Sequence, residues 1–156
     1  MTDYDKTATP DLPMKWHKFI AYFALWVGAL SDLGQAGMLM TGGHYGSMRD
    51  QVYRVFDGLK TIDSICAVAY VFLAAFAVYT AIQLIKLKEN APGKLMINYV
   101  ISTAVPLVYV LMASVSTGLS VADLAGGTFG SSVVGCVVGM IICKVYYGKR
   151  SHLFVN

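Results

Sequence analysis

Charge is what this chain has least of. Only 13% of its 156 residues are Asp, Glu, Lys or Arg, against 56% hydrophobic residues and a mean hydropathy of +0.59. Ordinary soluble domains carry about 25% charged residues. So little charge points to an integral membrane protein, and the chain's size leaves room for one compact bundle and no separate soluble domain. The net charge of +3 is small and scattered, which excludes nucleic acid as a partner. Cysteine is scarce as well. Cys66, Cys136 and Cys143 all lie in apolar runs, neither as a disulfide framework nor as a CxxC metal pair, and read as small packing residues. No two histidines stand at metal spacing, and His44, beside Gly42 and Gly43, is a lone one. There is no P-loop, no GxGxxG after a strand, no HExxH and no GxSxG. The expectation is therefore no enzyme, no cofactor and no metal.

What is present is a set of membrane-length apolar runs, and the chain is organised around the first, Phe19 to Met40 (FIAYFALWVGALSDLGQAGMLM). The hydrocarbon core is about 30 Å thick and a helix rises about 1.5 Å per residue, so roughly 20 apolar residues cross it. Asp32 and Gln35 fall in the second half of this run, with no Lys, Arg or His inside it. A charged carboxylate there costs on the order of 3 kcal/mol or more. Asp32 is therefore neutral, faces a wet cleft, or accepts hydrogen bonds from other helices. Ala21, Ala24, Gly28 and Ser31 lead towards Asp32 and Gln35 on roughly one face, the pattern of a helix packed on helices. Asp32 then reads as a polar contact at a helix crossing, or as a protonatable or ligand-binding carboxylate. A third reading makes Ala29-Leu30-Ser31 a signal-peptidase site; the preceding Asp3, Asp5 and Asp11, balancing Lys6, Lys15 and Lys18, argue against it.

Residues 1–15 read as a flexible cytoplasmic tail with Pro10 and Pro13. Trp16, His17, Lys18 and Tyr22 form an interfacial collar. After Met40 the turn-rich TGGHYGS breaks the helix, and Tyr45, Met48, Val52, Val55, Phe56 and Leu59 then recur at helical spacing among charged residues. That predicts an amphipathic segment on the membrane surface, in the first outer loop. The second span is expected over about 62–85. It opens with Asp63, read either as a first-turn residue complementing the helix dipole or as a carboxylate lying near Asp32 in depth. A basic turn leads to a third span over about 95–118, bent at Pro106. A weakly polar connection leads to a fourth over about 131–146. There Ser131, Gly135, Gly139 and Cys143 recur every four residues as a smooth packing face, and Gly126 to Gly130 and Gly135 to Gly139 are GxxxG spacings.

The fold expected is thus all-α: four transmembrane helices within a domain of residues 16–150, with a short cytoplasmic tail at 151–156. Lys6, Lys15, Lys18, Lys86, Lys88, Lys94, Lys144, Lys149 and Arg150 fall on one side of this topology, and Arg49, Arg54 and Lys60 on the other. The positive-inside rule puts both termini in the cytoplasm, with Asp32 and Asp63 in the outer half of the membrane.

The approach WHKFIAYFALWVGAL, the segment VYRVFDGLKTIDSI and the tail VYYGKRSHLFVN carry a resemblance. In these the chain resembles a group of small four-span integral membrane proteins of Firmicutes-type bacteria, some with a zinc-ribbon head, for which no activity is established. The resemblance covers most of the chain in layout and implies a bacterial cytoplasmic membrane. The cysteine pairs of a zinc ribbon are absent here, so it implies no metal. The leading functional expectation is a non-enzymatic accessory or structural subunit that works by helix–helix association, as a homo-oligomer or with a partner membrane subunit, among membrane lipids. The alternative is a small proton- or ion-coupled transporter using Asp32. In size and span number the chain is similar to the small multidrug resistance proteins, which use one carboxylate in the first span and work as dimers. Here the acid is Asp, lies deeper, and is accompanied by no other motif of that family.

Overall fold

The computed structural model describes residues 14–125 and 128–154, with the side chains of residues 125–132 outside that description. Among the described residues every regular element is helical. The first rod is α1 (Lys15–Phe19), a π-helical turn (Ile20–Ala24) and α2 (Leu25–Thr41), joined without a break in the helical backbone. It starts ahead of the expected Phe19 because nothing between Lys15 and Phe19 breaks a helix. The widened turn is partnered rather than orphaned: the Trp26 indole donates to the Ala21 carbonyl at 3.1 Å. The rod ends at Gly42, whose φ of 66° is the left-handed cap that glycine adopts without strain.

A 3₁₀ segment (Gly43–Met48) reverses at Gly46 and leads into α3 (Arg49–Val55). Then come α4 (Leu59–Ile85), α5 (Ala91–Thr117), the short α6 (Val121–Ala125), α7 (Thr128–Gly148) and a 3₁₀ turn (Ser151–Leu153). Three segments, Lys15–Val55, Leu59–Ile85 and Ala91–Thr117, are long and apolar enough to cross a membrane. The apolar stretch Val133–Gly148 of α7 is shorter. Large side chains stand outward as an apolar solvent requires, with Leu30 at 69%, Phe72 at 72% and Val115 at 89% exposure.

The elements pack in chain order, α2 on α4, α4 on α5 and α5 on α7. The α2–α4 seam is built from small residues. Ala21, Leu25, Ala29, Ala36 and Leu39 are buried on the first rod; Leu59, Cys66, Ala67, Ala74, Ala77, Ala81 and Leu84 are buried on α4. Steps of three and four residues keep one narrow stripe facing the partner, and alanine lets the backbones come close, where dispersion between them does the stabilising. Asp32 falls between Ala29 and Ala36 in this rhythm, and Asp63 between Leu59 and Cys66. Both acids therefore occupy core-facing register positions.

One end of the bundle is a clasp between the chain's two extremities. His17 is 5% exposed. Its backbone N–H donates to the Tyr146 hydroxyl at 3.2 Å, its Nδ1 lies 3.3 Å from the Tyr147 hydroxyl, and Phe154 packs edge-on against its ring. The expectation of a merely interfacial His17 gives way to a core residue, because the chain after α7 folds back over it. Leu84 and Ala91 join the same cluster, so the end of α4 and the start of α5 lie here too. Through Pro106 α5 continues as one helix. The flexible tail expected at the N-terminus lies outside the described residues up to residue 13.

Candidate functional site

The opposite end holds the chain's most unusual chemistry. α4 begins at Leu59, three residues before the expected Ile62, so Asp63 is in its second turn and not in the first. It cannot serve as a cap there. Instead it is 1% exposed, buried beneath the loop that follows α2. The Tyr53 hydroxyl of α3 donates to Asp63 Oδ2 at 2.7 Å. His44 Nε2 stands 3.9 Å from the same oxygen. The Tyr109 hydroxyl of α5 is 3.3 Å from His44 Nε2 and 3.4 Å from the Tyr45 hydroxyl. The rings enclose the cluster: His44 lies over Tyr45 at 3.7 Å between centroids, and Tyr45 meets Tyr53 edge-on at 5.5 Å. Asp63 Oδ1 is buried and has no hydrogen-bond partner among the described residues.

Local backbone chemistry sets this geometry. At Gly42 a Cβ would stand 2.7 Å from Arg49 Cδ and from the Tyr53 hydroxyl, and φ is positive, so only glycine lets α3 fold back this tightly. Gly46, at φ 56° and ψ −132°, supplies the second reversal. Arg49 staples the return by donating from Nη1 to the Thr41 carbonyl at 3.2 Å, while its Nε pairs with Asp50 at 3.0 Å. The amphipathic segment is thus a lid whose apolar positions are divided. Val52, Phe56 and Leu59 line a cavity of about 350 Å³ with His44, Tyr45, Tyr109, Val110, Ala113 and Leu124, while Met48 and Val55 are exposed.

No family model, curated protein or solved structure matches the chain. The site has to be read from its own geometry.

Asp32 and Asp63 are not brought together. Asp32 is half-buried, makes no hydrogen bond or ion pair with a described residue, and lies within electrostatic reach of Tyr70. Tyr70 is two turns beyond Asp63 on α4, about 10 Å of helix rise. Gln35 is exposed, away from the seam. Of the small-residue face on α7, Gly139 stands against α5, where an added Cβ would be 3.4 Å from Tyr99. Gly135 has open space around it, and the side chain of Ser131 lies outside the described residues, as does Gly126. Cys136 donates its thiol to the Tyr99 carbonyl at 3.3 Å, and Cys143 is buried in the core; all three cysteines are free. A four-residue repeat drifts around a helix of 3.6 residues per turn, so Gly135 and Gly139 need not share a neighbour.

Sequence reasoning took Tyr45 only as a position of the amphipathic segment, gave Tyr53 and Tyr109 no part in a site, and set His44 aside as solitary. The signal that was there is the density of glycines around His44 and Tyr45. Glycines at 42, 43 and 46 mark a tight reversal, and a tight reversal brings its own residues back onto the adjoining helices.

Proposed function

We propose that the chain is a four-span subunit of a bacterial cytoplasmic membrane, with both termini in the cytoplasm, that acts without catalysis through helix–helix association. The single observation that carries this reading is the outer face of α7. Val134, Val137, Val138, Ile141, Ile142 and Val145 are each at least 46% exposed, and the space beside Gly135 is open. A run of β-branched residues flanking a glycine is stiff and loses little side-chain entropy on packing, which suits a partner helix.

Four spans are supported by the clasp. His17 meets Tyr146 and Tyr147, so the first helix begins where α7 ends, which favours an even number of crossings. With three long apolar helices, α7 supplies the fourth; its 21 residues rise about 32 Å, close to the hydrocarbon thickness. The cytoplasmic side is supported by the basic residues near the clasp, among them Lys15, Lys18, Lys86, Lys94, Lys144 and Lys149.

The test is the mass and composition of the complex extracted in native lipid nanodiscs, compared between the wild type and Gly135→Leu. A homo-oligomer, or a second protein in fixed ratio, that is lost in the variant supports the reading. A monomer in both cases, or a complex that Gly135→Leu leaves unchanged, removes α7 as the interface. A second reading rests on Asp32, which stands in the α2–α4 seam with no hydrogen bond or ion pair to a described residue. On it the chain is a small proton- or ion-coupled carrier, and Asp32→Asn abolishes proton-driven solute flux in reconstituted vesicles. Flux unchanged by that substitution ends it.

A further inference from the structure

The cluster around Asp63 is built to hold something, and its charge says what. A carboxylate 1% exposed, with one oxygen lacking a hydrogen-bond partner among the described residues, carries a desolvation penalty that the Tyr53 hydroxyl, with those of Tyr45 and Tyr109 near it, offsets only in part. Among the described residues no Lys or Arg pairs with Asp63, since Arg49 is turned to Asp50 and the Thr41 carbonyl. The one basic neighbour, His44, is 3.9 Å away, too far for a hydrogen bond. The negative potential behind this wall of π faces is therefore met by tyrosine hydroxyls and the His44 imidazole, but by no Lys or Arg among the described residues. That wall, His44, Tyr45 and Tyr109, forms the polar end of the 350 Å³ cavity, whose remaining sides are Val52, Phe56, Leu59, Val110, Ala113, Leu119 and Leu124 with the polar Thr117 among them.

We infer that this cavity binds a small organic cation, an ammonium group carrying an apolar body. Aromatic faces attract a cation through the ring quadrupole, and do so best when water is excluded. The buried carboxylate behind the rings adds a charge that a neutral ligand cannot use. The apolar side walls take the body of the ligand, and the volume falls at the lower end of the range of small-molecule sites. A metal ion fits less well, because His44 and Asp63 are the only strong ligands here and no group of three metal-binding side chains exists among the described residues. A bare amphipathic groove for acyl chains would need neither the tyrosine hydroxyls nor the buried acid.

The test uses the full chain in lipid nanodiscs and the probe benzyltrimethylammonium, beside its uncharged carbon analogue neopentylbenzene, each corrected for uptake by empty nanodiscs. Expected is saturable binding of the cation at one site per chain, at least tenfold tighter than the analogue. Asp63→Asn weakens the cation about tenfold and leaves the analogue unchanged. Tyr109→Leu weakens the cation similarly, whereas Tyr109→Phe, which keeps the ring, stays within about threefold of the wild type. Three results overturn the inference: no saturable uptake of the cation, equal affinity for the two probes, or cation binding that a folded Asp63→Asn retains in full. Should Asp63→Asn fail to fold, the comparison of probes on the wild type and the Tyr109 pair still decides. Failure here leaves the association reading standing, since α7 takes no part in the cavity.

Discussion

Removing one oxygen atom at Tyr53 tests the core of the structural argument. Tyr53→Phe keeps the ring and its packing on Tyr45 but deletes the donor 2.7 Å from Asp63 Oδ2. Oδ1 already has no hydrogen-bond partner among the described residues, so the substitution removes the one short hydrogen bond this buried carboxylate is given there. Hydrogen bonds to charged groups contribute roughly 1.5–3 kcal/mol, and leaving a buried partner unsatisfied puts the cost at the upper part of that range. Tyr109→Phe is the internal control. Its hydroxyl contacts, at 3.3 and 3.4 Å, are longer than good O–H···O bonds, so about 0.5 kcal/mol or less is expected. The assay is SDS-driven unfolding in mixed micelles, followed by tryptophan fluorescence. The double variant Tyr53→Phe with Asp63→Leu removes both partners and should recover most of the loss, because an apolar pair leaves nothing unsatisfied. If Tyr53→Phe and Tyr109→Phe are equally mild, or if the double variant is no better than Tyr53→Phe, Asp63 is not held as described and the account of the site fails.

The remaining predictions probe other parts of the fold. Gly42→Ala should cost at least about 2 kcal/mol in the same unfolding assay, since it combines a left-handed residue with a Cβ 2.7 Å from the Tyr53 hydroxyl. Its loss should overlap that of Tyr53→Phe when the two are combined. Ala77→Leu, in the α2–α4 seam at 2% exposure, should overpack the crossing by about 1–3 kcal/mol, whereas Val115→Leu on the outer surface should change stability by less than about 0.5 kcal/mol. Gly139→Leu should push Tyr99 away and destabilise the bundle, while Gly135→Leu should leave unfolding unchanged and alter only assembly, read by native mass. His17→Ala should open the clasp, seen as faster proteolysis after Lys149 with the distant Tyr53–Asp63 pair unaffected.

The sequence by itself determined the solvent and the class of fold. Whether a segment suits a bilayer is a local property of about 20 consecutive residues, so the apolar runs around α2, α4 and α5 were visible one at a time. Helix ends were less legible. α4 starts at Leu59 rather than Ile62, and that shift of one turn moves Asp63 from the first helical turn to a buried position in the second. Only the tertiary structure decided what surrounds Asp63. Its neighbours come from three places: His44 and Tyr45 from a glycine-built loop, Tyr53 from α3, and Tyr109 from α5, 46 residues beyond Asp63 in the chain. No periodicity links them, because their meeting depends on how far α3 folds back and on the register of α4 against α5. The same holds for the clasp, where His17 and Tyr147 are 130 residues apart. Hydropathy is summed along the chain, whereas a site is assembled across it.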